Sequence, residues 1–268
     1  MDVQEIGLEA HGAIDGYVNR VLVVGESAGP AVEDRCTGWL GHQFHLGSGG
    51  VGALVRQLAR HLNALTDIVP HRGEGDAFLI HPDKNPNTTG AVLLGVAPPT
   101  PGAHLARMRD GFCRNDLRSL VVIGEDAAAV LGEHLLERLD LLVVSDVLPT
   151  PTTAAAHFLL PGCAHAEKAG SFINAYGRVQ RFEPAIAPPG DAQPEWQFLR
   201  ELVIAVTGQT PPDSVVGLFD ALARETSALA GLTWSGLGAS GQQISTGPPS
   251  PVRAPGLQAS GNIVGRVP

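Results

Sequence analysis

Three short apolar runs punctuate the chain: "RVLVVGE" (20–26), "SLVVIGED" (119–126) and "LDLLVVSD" (139–146). Each is continuous rather than alternating and ends on a small or acidic residue, the pattern of a parallel strand buried on both faces. Between the last two lies "AAAVLGEHLLERL", with Leu131, Leu135, Leu136 and Leu139 at helical spacing, which predicts a β-α-β unit with a right-handed crossover. "HFLLP" predicts a further strand stopped by Pro161, and "DAFLIH" (76–81) another. "VGALVRQLARHLNAL" (51–65) has the period of an amphipathic helix, and "PEWQFLRELVIAVTG" (194–208) predicts a second helix, opened by Pro194 and closed by Gly208. Residues 82–102 are turn-rich and predict a long surface connection. From Thr233 large apolar residues thin out among Gly, Ser and Pro. The expected architecture is α/β, a layered sheet of mainly parallel strands with flanking helices over residues 1–232. A tail, 233–268, follows without a packed core of its own, extended or disordered when alone.

Charge removes two classes of partner. The net charge is -9, and Lys84 and Lys168 are the only lysines. The chain therefore has no basic face for nucleic acid or for direct insertion into an anionic membrane. No apolar run approaches the ~18 residues of a membrane helix, and the first residues lack the basic-then-apolar order of a secretory signal. The expected location is cytoplasmic, peripheral to a membrane only through a complex. Cys36, Cys113 and Cys163 lie far apart; no pair has the spacing of a zinc or Fe–S site, and an odd, scattered set suits reduced thiols.

Several short motifs carry a chemical reading beside a structural one. "GSGGVG" (47–52) satisfies the glycine pattern of a dinucleotide site, with Asp67 as the ribose-binding acid, but its context is poor and a flexible loop and helix cap is the preferred account. His42 and His45 in "HQFH" could face a metal or simply pack. Cys163 lies near His157 and His165, which allows a thiolate–imidazole pair or a buried structural thiol. Glu125, Asp126 and Asp146 end strands where α/β crevices form, and acids there also cap the next helix.

Residues 140–181 concentrate unusual features. A strand ends in Asp146, "LPTPTTAAA" and a second strand follow, and then comes "EKAGSFINAYGRVQR". Gly170 and Gly177 permit positive φ or close backbone approach. Asn174 offers donor and acceptor, and Arg178 and Arg181 can fork onto a carboxylate or phosphate. Such a loop suits a polar heterocycle with phosphates or a tightly locked internal turn.

This segment resembles the molybdopterin oxidoreductase family. Within it, the likeness is to the formate dehydrogenase catalytic subunit and to the NADH-quinone oxidoreductase subunit that carries a molybdopterin-type domain. Asp146, Thr150, Thr152, Ala156, Leu160 and Pro161 fall on the family pattern D-x-F-x-T-E-T-A-x-x-A-D-V-V-L-P. Glu167, Lys168, Gly170, Phe172, Asn174, Gly177, Arg178, Val179 and Gln180 fall on E-K-x-G-T-F-x-N-x-E-G-R-V-Q, and Pro189, Gly190, Ala192 and Trp196 on P-x-G-x-A-x-x-D-W. Pro151, His157 and Tyr176 depart from it.

The resemblance implies a fragment of a molybdopterin-oxidoreductase-like domain. It implies a non-catalytic accessory or structural subunit of a multisubunit electron-transfer oxidoreductase of the NADH-quinone type, with Fe–S subunits among its partners. The chain itself would bind no cofactor or metal. A first alternative is a split part of a molybdenum or tungsten pterin enzyme of formate dehydrogenase type, binding molybdopterin guanine dinucleotide only with a partner chain. Asp146, Thr150, Thr152, Asn174, Gly177 and Arg178 would then contact the cofactor. A second alternative is a free-standing nucleotide-binding module using "GSGGVG".

Overall fold

The long apolar runs assemble side by side into one parallel sheet in the order β2-β1-β3-β4-β5. The strands are β1 (Arg20–Val24), β2 (Leu65–Asp67), β3 (Ser119–Ile123), β4 (Leu141–Asp146) and β5 (Phe158–Pro161). Every neighbouring pair is parallel; Val122, for example, stands beside Val144 and Val144 beside Leu159. The computed structural model describes residues 20–24 (backbone only), 49–76 and 80–245. "HQFH", Cys36, the first two residues of "GSGGVG" and residues 77–79 of "DAFLIH" lie outside the described residues. Asp76, Ile80 and His81, which flank the last of these, belong to no strand. Instead the Asp76 N–H donates to the Ile80 carbonyl (2.8 Å) and the Ile80 N–H to Asp76 Oδ1 (2.8 Å), so the two residues close a loop.

Strands with apolar residues at every position need cover on both faces, and the core divides accordingly. Leu141 and Val143 of β4 point into a cluster with Val51, Leu54, Val55, Leu58, Leu199 and Val203, from α1 (Gly49–Leu62) and the later helix Glu195–Thr207. Leu142 and Val144, one residue out of phase, point the other way. They meet Met108 and Phe112 of a helix spanning Leu105–Cys113, and Leu131, Leu135 and Leu136 from the β3–β4 crossover. In chain order the helices are α1, α2 (Thr88–Leu93), α3 (Leu105–Cys113), α4 (Ala127–Leu131), α5 (Glu133–Leu136), α6 (Pro151–Ala154), α7 (Glu195–Thr207) and α8 (Val215–Glu225). Gly132, at φ 95°, breaks the crossover helix in two. The connection 82–102, expected to be irregular, contains α2. There Gly90 lies so close to Asn87 that a Cβ would meet its Oδ1 at 2.2 Å.

A second, antiparallel sheet follows: β6 (Gly170–Ile173), β7 (Arg178–Phe182) and β8 (Gln242–Gln243), in that order. Asn87 Oδ1 accepts the Ile173 N–H (2.9 Å) and ties it to the start of α2. Packing continues past the expected boundary at Thr233. Trp234, Leu237 and Ile244 are buried in the main core, with Trp234 edge-on to Phe219 at 5.8 Å. Among the described residues of this stretch large apolar side chains are few, and these three fill sites on the body of the protein. Residues 246–268 lie outside the described residues.

Candidate functional site

Sheet order reverses between β1 and β3, and in open α/β sheets ligands bind beyond the carboxyl ends of the strands near such a reversal. At that edge β3 runs into Gly124, Glu125 and Asp126, β4 ends in Asp146, and β5 runs into Gly162 and Cys163. Glu125 is buried and its Oε2 lies 2.9 Å from His71 Nε2. Asp126 accepts from the Thr152 hydroxyl (2.6 Å), which in turn accepts the Ala128 N–H (2.8 Å). One fully buried threonine at the start of α6 thus caps α4 as well.

Asp146 is the singular group. Its Oδ1 accepts the Val147 N–H (2.7 Å) and the Leu148 N–H (3.3 Å). Its Oδ2 is buried with no hydrogen-bond partner, and so is the hydroxyl of the adjacent Ser145. Burial pushes the carboxyl above the usual carboxylate range, and the nearby Asp126 and Glu195 push it the same way. The Val147 and Leu148 amides oppose the shift. Native proteins leave few buried polar atoms unpaired, so two neighbouring ones at a strand edge mark a place built to meet something.

Beside them lies a buried ion pair. Lys168 Nζ donates to Glu195 Oε1 (2.7 Å) and Oε2 (2.6 Å), with side-chain exposures of 5% and 8%. Gly162 lets these groups converge: a Cβ there would stand 2.9 Å from Glu195 Oε1 and 3.2 Å from Ser145 Oγ. Cys163 is fully buried, and burial together with Glu195 pushes its thiol up to about 11. A thiol held that high is not a nucleophile at neutral pH. His157, at the opposite end of β5, accepts the Leu142 N–H at Nδ1 (2.9 Å), a strand-to-strand tie. Cys163 is therefore a structural thiol.

The six residues singled out for cofactor contact fall into two groups. Asp146 ends β4, and Thr150 and Thr152 follow it. Thr150 caps α6, accepting the Thr153 N–H (3.1 Å) while the Thr153 hydroxyl accepts the Thr150 N–H (2.7 Å). Asn174, Gly177 and Arg178 form the tip of the β6–β7 hairpin in the other sheet. Asn174 Oδ1 accepts from the Tyr176 N–H (3.0 Å) and the Arg178 N–H (2.9 Å), and Gly177 takes φ 77°. That is a type I turn closed by a glycine bulge, the standard three-residue hairpin loop. The Arg178 guanidinium donates through Nη1 to the Ser240 carbonyl (3.2 Å). Sequence reading missed Ser145, Gly162 and Glu195 as members of the site. Glu195 was visible only as the acid in the first turn of α7.

The dinucleotide reading of "GSGGVG" loses its acid. Asp67 is fully buried and accepts three backbone N–H groups, from Ile68 (2.8 Å), Gly102 (2.9 Å) and His104 (2.8 Å). Gly52 lies inside α1, where a Cβ would meet Leu94 at 2.6 Å, so it serves helix packing. Among the described residues no three metal-ligating side chains come together, and no helix is long and apolar enough to cross a membrane.

Comparison with known proteins matches this arrangement to one family. Residues 44–204, more than half of the chain, fit the family model of the molybdopterin oxidoreductases. The alpha subunit of the NADPH-Fe(3+) oxidoreductase of Geobacter sulfurreducens is 33% identical over 144 residues, 52% of this chain and 17% of that protein. The alpha subunit of F420-dependent formate dehydrogenase 2 of Methanococcus maripaludis is 35% identical over 134 residues, 47% of this chain and 20% of that protein. The chain thus spans a fifth or less of the length of these relatives. Among solved structures, acetylene hydratase from Pelobacter acetylenicus aligns with a TM-score of 0.42 and 19% identity, over 50% of this chain and 19% of that one. With the family model covering β2 to β5 of the parallel sheet, the Asp146 edge and the β6–β7 hairpin, the chain belongs to the molybdopterin oxidoreductase family.

Proposed function

We propose that this chain is part of a pterin-dependent oxidoreductase of formate dehydrogenase type, supplying one wall of a cofactor pocket that further polypeptide completes. The observation that carries this reading is the orphaned pair at the end of β4, Asp146 Oδ2 and Ser145 Oγ. The relatives named as alpha subunits of a formate dehydrogenase and an iron-reducing enzyme favour it over an accessory subunit of the NADH-quinone type.

The residues present fit a nitrogen heterocycle bearing phosphates. Asp146 Oδ2 and the Ser145 hydroxyl together can accept from, or donate to, the polar edge of a heterocycle. Arg178 has guanidinium donors beyond the one given to Ser240, suited to an oxyanion. Thr150, Thr152, Asn174 and Gly177 spend their hydrogen bonds on caps and the turn, so their part is to position these contacts. When bound, a molybdenum or tungsten pterin supplies the redox chemistry; this chain's residues hold and orient it.

The test is metal and pterin analysis of the chain purified with its natural partner subunits. Molybdenum or tungsten with pterin in stoichiometric amount is expected, and Asp146→Ala should lower the pterin content of the assembled complex. A fully assembled complex without metal or pterin would reject the reading and restore the scaffold subunit in its place.

A further inference from the structure

The helical layer carries a cleft that the sheet-edge site does not use. It has a volume of about 590 Å³ and lies between α1, the segment following α7, and α8. That is within the range of small-ligand pockets, about 300–1,000 Å³. Leu54, Leu218 and Leu222 give it an apolar base. Arg56 and Arg60 stand on its α1 side, one helical turn apart and therefore on one face, with His61 next to them.

The basic wall is under-used. The Arg56 side chain is only 12% exposed, yet among the described residues its sole partner is Glu225, reached by Nη2 at 2.6 Å. A guanidinium carries five N–H donors. Glu225 is itself 64% exposed. Arg60 and His61 make no side-chain hydrogen bond or ion pair among the described residues. Two forked cations above an apolar base, one of them largely withdrawn from water, match an oxyanion carried on an apolar body. Gln57 Nε2 donates to Gln209 Oε1 (2.5 Å) and fixes the segment after α7 against α1.

We propose that this cleft binds a small organic anion, a phosphate or carboxylate on a compact apolar body. Arg56 and Arg60 take the oxyanion, and Leu218 and Leu222 support the body. The site is separate from the Asp146 edge and stands whether or not that edge meets a pterin.

Calorimetric titration of the full chain at low salt with phenyl phosphate, phenylacetate and neutral benzyl alcohol tests it. Saturable binding of at least one anion is expected, and which anion binds distinguishes a phosphate from a carboxylate ligand. Arg60→Gln, a change at an exposed helical position, should weaken binding about tenfold, the loss of one charge-assisted contact, and leave the thermal midpoint unchanged. Arg56→Gln should weaken it at least as much. No saturable heat from either anion up to about 10 mM, a ligand range that already covers very weak sites, would overturn the proposal. So would binding that ignores Arg60→Gln, or benzyl alcohol binding as well as the anions.

Discussion

Replacing Lys168 with methionine isolates the buried ion pair at the heart of the site. Methionine keeps most of the apolar stem and removes the ammonium, so Glu195 stays buried with neither of its two hydrogen bonds. Removing one partner of a buried pair costs about 3–5 kcal/mol, because the surviving charge has lost its compensation. Glu195 can escape part of that cost by holding a proton. A neutral carboxyl costs less to bury than a carboxylate, so the penalty is smaller at acid pH. Urea unfolding of the full chain, followed by its tryptophan fluorescence, measures this directly. With a slope of about 3 kcal/mol per molar urea, the midpoint should fall by about 1–1.7 M at pH 8, and by less at pH 5. The double variant Lys168→Met/Glu195→Leu should recover most of the loss, since a well-packed apolar pair often replaces a buried ion pair without cost. A single-variant loss below about 1 kcal/mol, or a double variant no better than the single, would refute the reasoning.

Relative to the native protein, Asp146→Asn should gain stability as pH rises, because a neutral amide replaces a buried carboxylate. The raised carboxyl is held at no cost only while protonated, so this gain should appear as pH rises through its folded pKa and vanish at acid pH, as unfolding at several pH values would show. Thr152→Val deletes the hydroxyl that ties α6 to α4 and should cost about 1–3 kcal/mol by the same assay. Gly177→Ala puts a side chain at φ 77° in the hairpin tip and should cost about 1–2 kcal/mol. Alkylation at pH 8 followed by peptide mapping should label the exposed Cys113 and spare Cys163 until the chain is unfolded. The stability held by the protonated Cys163 thiol is intact below the ordinary thiol value of 9.0 and is lost as pH rises toward about 11.

The helices show where local reading succeeds. α7 is legible to the residue, since Pro194 opens it and Gly208, at φ 69°, takes the left-handed cap. α8 carries a local signal too: Ser214 accepts the Gly217 N–H (3.2 Å), and Leu218, Phe219, Leu222 and Ala223 share a buried face. α2 carries almost none. Its "TTGAVL" holds β-branched residues and a central glycine, poor helix formers, and contact between Asn87 and Gly90 shapes its start.

The sequence by itself determined four of the five parallel strands, β1, β3, β4 and β5, and the helix between Pro194 and Gly208. Those depend on hydrophobic runs and on hydrogen bonds between residues a few positions apart, which local order encodes. Only the tertiary structure decided that Lys168 meets Glu195, that Gly162 admits the contact, that Asp146 Oδ2 and Ser145 Oγ are left unpaired, and that Arg56 faces a cleft. Each of these depends on which distant segments come to lie side by side and which acceptors they bring within reach. No local preference of the chain specifies that.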